Sequence, residues 1–81
     1  MTVTVRWDKV KEKWQVYSTT EGHIGYRKTR KDAVKKAKGT AQTEATDRGT
    51  QTLVRWENKY GEDVGQQLVY PAGTSSEDRI Q

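Results

Sequence analysis

The sequence predicts a single two-layer α+β domain, ββ(β)αββ, in which one helix packs on one face of an antiparallel sheet. Three observations support this class: two amino-terminal segments alternate polar and apolar residues, a central segment repeats alanine at every fourth position, and the chain has only 81 residues. A chain of this length buries one small core. We therefore expect one domain over residues 1–71 and a flexible, polar tail over residues 72–81.

The amino-terminal third predicts a hairpin, followed by a segment whose structure the pattern leaves open. Apolar and polar side chains alternate over residues 2–7 and again over residues 14–17, which is typical of strands with one buried face. Charged and turn-forming residues separate the two segments. Residues 23–28 form either a short third strand or an extended lead into the helix.

Parity along these strands assigns their aromatic side chains to faces. Trp7 has the parity of Val3 and Val5, and Trp14 has the parity of the valine two positions after it. Because apolar residues of one parity face the core, we expect both tryptophans under the helix. Tyr17 has the opposite parity, which predicts an exposed ring.

A helix is predicted over residues 30–47. Thr29 and Asp32 form a variant of the capping box, in which the hydroxyl accepts from a backbone N–H and the carboxylate favours the positive helix end. Alanine recurs at every fourth position, at Ala33, Ala37, Ala41 and Ala45. This spacing predicts a face that lies close on a sheet, and Gly49 supplies a stop. Inside a helix Gly39 costs about 1 kcal/mol relative to alanine, so an earlier end there is the alternative.

The carboxy-terminal third predicts a second hairpin with a long loop. Residues 50–56 are rich in Thr, Leu, Val and Trp, and residues 67–70 form another extended segment. Residues 57–66 between them contain glycine, asparagine and acidic residues, which are common in turns. Leu53 competes with Trp56 for the inner face, so parity does not assign the side of this tryptophan.

Positive charge is concentrated in one segment. The chain has 15 Lys and Arg against 11 Asp and Glu, a formal net charge of +4, and residues 27–38 hold seven basic residues against the single acid Asp32. At about 100° per residue, four of the lysines form a ridge turned roughly 110° from the alanine face. These are Lys28, Lys31, Lys35 and Lys38. Such a ridge can follow the phosphates of DNA or RNA, and its alternative is a solvated helix face without a ligand.

We therefore interpret the chain as a non-catalytic module that binds nucleic acid. The predicted contact residues are Arg27, Lys28, Lys31, Lys35, Lys38, Tyr17 and Tyr26. In this interpretation the cations contact phosphates and either tyrosine assists as an aromatic surface. The alternative is a protein-interaction or regulatory domain, in which a sheet edge such as that of residues 67–70 pairs with a partner or a second copy.

Residue types that support catalysis or metal binding are sparse. The chain has no cysteine and one histidine, His23, which leaves no basis for thiol chemistry, a histidine metal cluster or a Ser-His-Asp triad. No glycine pattern for phosphate binding is present. The adjacent acids Glu62 and Asp63 fall in a predicted loop, where solvated carboxylates do not form an acid and base pair. We expect no enzymatic activity, metal or cofactor.

Hydrophobic runs are short throughout the chain. A membrane helix needs about 20 apolar residues, and the amino terminus alternates instead of forming the apolar stretch of a signal peptide. We therefore expect a cytoplasmic protein that does not enter the membrane.

The chain resembles a family of short bacterial and archaeal proteins known as domain of unknown function 2188. The resemblance rests on Lys13-Trp14-Gln15-Val16, where that family has Gly-Trp-x-Val, and on Thr29-Arg30-Lys31-Asp32-Ala33-Val34, where it has Thr-x-x-Glu-Ala-Ile. Gly49 and the strand around residues 53–56 extend it. It covers residues 3–70, and it implies the small α+β fold without an assigned activity.

A second likeness points toward DNA. Residues 14–37 place a strand, then Tyr26-Arg27-Lys28-Thr29, before a basic helix. This order looks like the arm-type DNA-binding domains of phage integrases, where a three-stranded sheet enters the major groove. Those domains end at the helix, whereas this chain continues through residues 50–70.

Overall fold

Five strands and one helix form a two-layer domain in the computed structural model, which describes residues 1–72. The elements are β1 (Thr2–Asp8), β2 (Lys13–Ser18), β3 (Gly22–Arg27), α1 (Arg30–Arg48), β4 (Thr52–Glu57) and β5 (Asp63–Val69). The strands form one sheet in the order β3-β2-β1-β4-β5, and α1 packs on one face of it. The predicted α+β class is confirmed, and the segment left open before the helix is a strand.

One strand pair differs from the predicted antiparallel sheet. β1 and β4 pair in parallel, with Val3 opposite Val54, whereas the other three pairs are antiparallel. The reason lies in the order of elements. β3 runs in the same direction as β1, and α1 then returns the chain to the starting end of the sheet, so β4 runs alongside β1. The sheet is therefore mixed.

Helix α1 continues through Gly39, which confirms the longer of the two predicted helices. Thr29 Oγ1 accepts a hydrogen bond from the backbone N–H of Asp32 at 3.1 Å. Gly49 ends the helix with a φ of 70°, and its N–H donates to the carbonyl of Ala45 at 2.8 Å. A threonine cap contributes about 1 kcal/mol, which offsets the similar cost of the internal glycine.

The core lies between α1 and the middle of the sheet and consists mainly of small side chains. Its fully buried members are Val3, Val5, Val16, Val54, Ala33, Ala37, Ala41 and Ala45. Alanine brings the helix backbone close to the valines of the sheet. Trp14 is buried at the end of this core, and Trp7 and Trp56 pack half-buried against it. Both tryptophans of the first hairpin therefore lie on the helix side, as predicted.

A buried polar contact joins the carboxy-terminal half of α1 to β2. Glu44 lies on the alanine face and is only 7% exposed. Its Oε1 accepts from the hydroxyl of Ser18 at 2.8 Å, and the same hydroxyl oxygen accepts from the N–H groups of Thr20 and Glu21. Ser18 therefore supplies a donor to one of the two carboxylate oxygens, whereas Oε2 is buried without a hydrogen-bond partner among the described residues.

The second hairpin is longer than predicted. β5 begins at Asp63 instead of residue 67, which reduces the predicted loop to residues 58–62. Gly65 lies opposite Trp56, whose indole ring covers it so closely that a Cβ at this position would overlap the ring. Glycine and polar residues disfavour strands, so the pattern hid this half of β5.

Hydrogen bonds join the end of the described chain to helix α1. Gln42 Nε2 donates to the carbonyl of Tyr70 at 2.8 Å, and the N–H of Ala72 donates to Thr46 Oγ1 at 3.0 Å. Apart from Ala72, the predicted tail of residues 72–81 lies outside the described residues.

We predict opposite effects for two glycine-to-alanine substitutions. Gly65→Ala forces the Trp56 ring out of place and lowers the free energy of unfolding by about 1–3 kcal/mol, as overpacking does. Gly39→Ala meets nothing within 4 Å and raises it by about 0.5–1 kcal/mol. Urea unfolding of both variants measures the difference, and equal stabilities would contradict the packing of Trp56 on Gly65.

Candidate nucleic-acid interface

The four predicted lysines lie along the solvent side of α1 and the turn before it. Lys28, Lys31 and Lys35 are exposed, while Lys38 is half-buried with its Nζ 5.7 Å from the centroid of the Trp56 ring. In the part of the chain that the structure describes, none of the four has a carboxylate within ion-pair distance. We call these residues the lysine ridge. Within residues 1–72 its positive charges are not compensated by ion pairs.

A groove separates the lysine ridge from β4. Its lining residues are Arg30, Lys31, Asp32, Val34, Lys35, Lys38 and Trp56. Trp56 and Val34 are the apolar members, and four cations accompany the one carboxylate. The groove is therefore a positively charged channel with an aromatic ring in it.

A second depression lies beyond the amino-terminal end of α1. Its lining residues are Trp14, Lys28, Thr29, Arg30, Asn58, Lys59 and Tyr60. The guanidinium carbon of Arg30 is 5.7 Å from the Trp14 ring centroid, and Lys59 Nζ is 4.4 Å from that of Trp7. Both distances fall within the range of cation–π contacts. Arg30 lines the groove as well, so the two concave surfaces adjoin.

Arg27 is the last residue of β3, and it lies on the same side of the domain. Its Nη1 donates to the carbonyl of Tyr26 at 2.7 Å, and its side chain borders a depression shared with Lys35 and Lys36. The structure therefore brings the five predicted cations together on the helix side of the sheet.

The two predicted tyrosines lie on the other face of the sheet, away from α1. The Arg6 guanidinium carbon is 5.0 Å from the centroid of the Tyr17 ring. The ring of Tyr26 is 4.7 Å from that of His23, and its hydroxyl donates to Asp8 Oδ2 at 3.1 Å. The predicted contact residues are thus divided between two surfaces, cations on one and tyrosines on the other.

Of Arg6 and Arg55 on the tyrosine face of the sheet, Arg55 is ion-paired, whereas Arg6 bonds a neutral amide. Arg55 forms ion pairs with Asp63 and, at 3.6 Å, with Glu57. Arg6 Nε donates to Gln15 Oε1 at 2.9 Å. Within residues 1–72 the ion pairs therefore lie on this face, and none of them involves the lysine ridge.

Hydrogen bonds shift the pKa of two groups on the tyrosine face. The backbone N–H of Lys11 lowers the pKa of the Asp8 carboxyl below its usual value, and the hydroxyl of Tyr26 and the N–H of Val10 act in the same direction. Desolvation, together with the bond to Asp8, raises the pKa of Tyr26. The lowered pKa of Asp8 thus follows mainly from a hydrogen bond in the β1–β2 turn, and the raised pKa of Tyr26 follows mainly from desolvation.

Sequence reasoning missed three residues of the helix side. Arg30 is the first residue of α1, and its guanidinium reaches Trp14. Lys59 and Tyr60 belong to the loop after β4, far from the helix in sequence. Lys59 and Tyr60 could have been found as a basic and an aromatic residue that lie between two turn-forming residues, Asn58 and Gly61.

The chain has no match that would assign this surface a function. Comparison with protein-family models, with curated proteins and with solved structures finds no match. The resemblance to the family of unknown function therefore stays a prediction. Among residues 1–72, no group of three or more acidic or histidine side chains is arranged to hold a metal ion. Over the same range, no helix combines the length and apolar character needed to cross a membrane.

We predict that Asp8 contributes to stability in a pH-dependent manner. A carboxyl whose pKa is lowered by folding stabilises the native state above its unfolded pKa of about 3.9, and this contribution is lost as the pH falls through the folded value. Asp8→Asn should therefore be destabilising at pH 6 and have a smaller effect at pH 2. Urea unfolding of both proteins between pH 2 and pH 6 tests this prediction. A difference in unfolding free energy between Asp8→Asn and the unmodified protein that does not change with pH would contradict it.

Proposed function

We propose that the protein is a non-catalytic module that binds duplex nucleic acid with its helix side. The observation that carries this proposal is the lysine ridge, a line of four cations without carboxylate partners within residues 1–72. From Lys31 to Lys38 the helical part of the ridge extends about 10 Å at the helical rise of 1.5 Å per residue, and Lys28 continues the ridge beyond the N-cap residue Thr29. Phosphates of one strand recur about every 3.4 Å along a duplex, so the ridge matches the length of about four of them.

Arg27 and Arg30 flank the lysine ridge on its two sides. Arg27 borders a depression next to β3, and Arg30 borders the groove next to β4. Each phosphate that a cation neutralises releases a condensed counterion, which favours binding regardless of base sequence. A surface with basic residues on both sides of a central line suits a rod of negative charge, and it makes no distinction between DNA and RNA.

The tyrosine face is a weaker candidate for phosphate contacts. Arg55 is compensated there by Asp63 and Glu57. A paired arginine must lose a carboxylate partner before it can bind a phosphate, whereas the ridge lysines have no carboxylate partner to lose within residues 1–72. In the proposal, Tyr17 and Tyr26 therefore do not take part in the duplex contact made by the ridge.

We predict a salt dependence that reports the ridge directly. For about four neutralised phosphates on duplex DNA, log affinity should fall with log salt concentration with a slope near −3.6. Lys31→Gln and Lys35→Gln should each reduce the steepness by about 0.9, and together by about 1.8. Fluorescence anisotropy with labelled duplexes at several salt concentrations measures the slopes.

Arg6→Gln is the matched control for these variants. It removes one positive charge from the tyrosine face, opposite the ridge, so the slope and the affinity should stay close to those of the unmodified protein. Absence of duplex binding at low salt would contradict the proposal. A loss of affinity in Arg6→Gln that exceeds the loss in Lys31→Gln would assign binding to the other face.

A second candidate function is association through the edge of the sheet. Within the described residues β5 has one neighbour, β4, and Val64 and Leu68 on it are 48% and 42% exposed. An edge strand with exposed apolar side chains is a template for another strand. In this alternative, a second copy of the chain or a protein partner extends the sheet.

We predict that a charge on this strand blocks such association. Leu68→Lys leaves the core untouched and places an ammonium group at the edge, which natural sheets use to prevent pairing. Sedimentation analysis of the unmodified protein should show a dimer that forms with increasing concentration, and the variant should remain monomeric. A monomer in both cases would exclude self-association as the function of this edge.

A further inference from the structure

The loop between β4 and β5 holds a tyrosine ring in solvent. Tyr60 is 87% exposed. Asn58 Oδ1 accepts from the N–H groups of Tyr60 at 2.8 Å and Glu62 at 3.1 Å, and the N–H of Asn58 donates to the carbonyl of Glu62 at 2.9 Å. Gly61 adopts the φ of 83° that the tight turn requires. Hydrogen bonds within the loop thus fix its conformation. The Tyr60 ring does not pack against the domain to hold it.

The ring of Tyr60 borders the depression beyond the amino-terminal end of α1. This depression has a volume of about 520 Å³, which is large enough for a nucleobase. Its three cations are Lys28 and Arg30 from the start of the helix and Lys59 from the loop, and its lining contains no carboxylate. The site therefore combines an accessible aromatic ring with positive charge from two separate elements.

An unpaired nucleotide has the chemistry that fits this combination. Its base can stack on an aromatic ring, and its phosphate can bind the adjacent cations. A base inside a duplex is stacked between its neighbours and does not reach a side chain in this way, whereas a base in a single-stranded extension is free to do so.

The depression continues directly from the lysine ridge. Lys28 belongs to both, because it begins the ridge and lines the depression. A duplex that follows the ridge toward the amino-terminal end of α1 would therefore bring its end to Tyr60. We propose that Tyr60 and its three neighbouring cations bind an unpaired nucleotide, so that the preferred ligand is a duplex with a single-stranded extension. This inference rests on the proposed function, since the ridge holds the duplex portion.

The experiment compares a blunt duplex with the same duplex carrying a short extension at the 3′ or the 5′ end. For the unmodified protein an extension should tighten binding by about tenfold, which is the effect of one stacked base. Tyr60→Ala should abolish this preference, so that the blunt and the extended duplex bind the variant with equal affinity. Tyr60→Phe should keep it, because the ring remains. An extension that lacks its bases should give no tenfold gain, which separates stacking from additional phosphate contacts.

Val10→Ala is the matched control for Tyr60→Ala. Val10 lies in the β1–β2 turn and is 85% exposed, so the substitution removes a similarly exposed apolar group elsewhere. Equal affinity of the unmodified protein for blunt and extended duplexes would overturn the inference and leave the proposed function standing. So would a preference that survives in Tyr60→Ala. Absence of binding to every duplex at low salt would instead overturn the proposed function.

Discussion

Close packing of the alanine face of α1 on the valines of the sheet is the contact on which the rest of the domain depends. The alanines bury little area each, and their small size lets the helix backbone pack close to the valines of the sheet. The same contact sets the rotation of the helix. Because Ala33 and Ala37 face the sheet, Lys31 and Lys35 have to face solvent, and the charge pattern of the surface follows from the packing of the core.

A core of small residues leaves the large ones at its margins. The three tryptophans surround the end of the core nearest the start of α1, where Trp7 and Trp14 meet edge to face at a centroid distance of 5.2 Å. Each tryptophan has a cation above its ring, from Arg30, Lys38 or Lys59. Long basic side chains cover apolar surface with their stems while the charge stays in water. These cations therefore contribute to the closure of the core and to the positive potential of the surface at once.

Much of this arrangement could be predicted from the sequence, because it depends on local periodicity. Alternation located β1 and β2 and placed Trp14 inside, and the spacing of alanines with Thr29 before them gave the helix and its start. The direction of β4 could not be obtained in this way, since strand pairing is a property of topology and not of any single segment. The early start of β5 was hidden for another reason. Gly65 is unfavourable in an isolated strand and becomes favourable only beneath the ring of Trp56.

The candidate site was predictable to a similar extent. The charge of residues 27–38 and the helical period together define the lysine ridge, because both are properties of one continuous segment. Parity already separated Tyr17 from the helix side, whereas Tyr26 could not be assigned because the pattern left residues 23–28 open as a strand or an extended lead into the helix. Lys59 and Tyr60 join the helix side through a contact between distant segments, which periodicity does not report.

The parallel ladder between β1 and β4 has a consequence for the order in which the chain can fold. The ladder joins Val3 to Val54, so the centre of the sheet is assembled from two segments separated by both hairpin partners and the whole helix. Closing so long a loop carries an entropic cost that the local hairpins do not have, which makes central pairing a late event. During synthesis, β1 has its neighbour β2 soon after it emerges, but it keeps one open edge until β4 has left the ribosome. Helix α1 packs on both β1 and β4, so it makes only part of its final packing contacts until then.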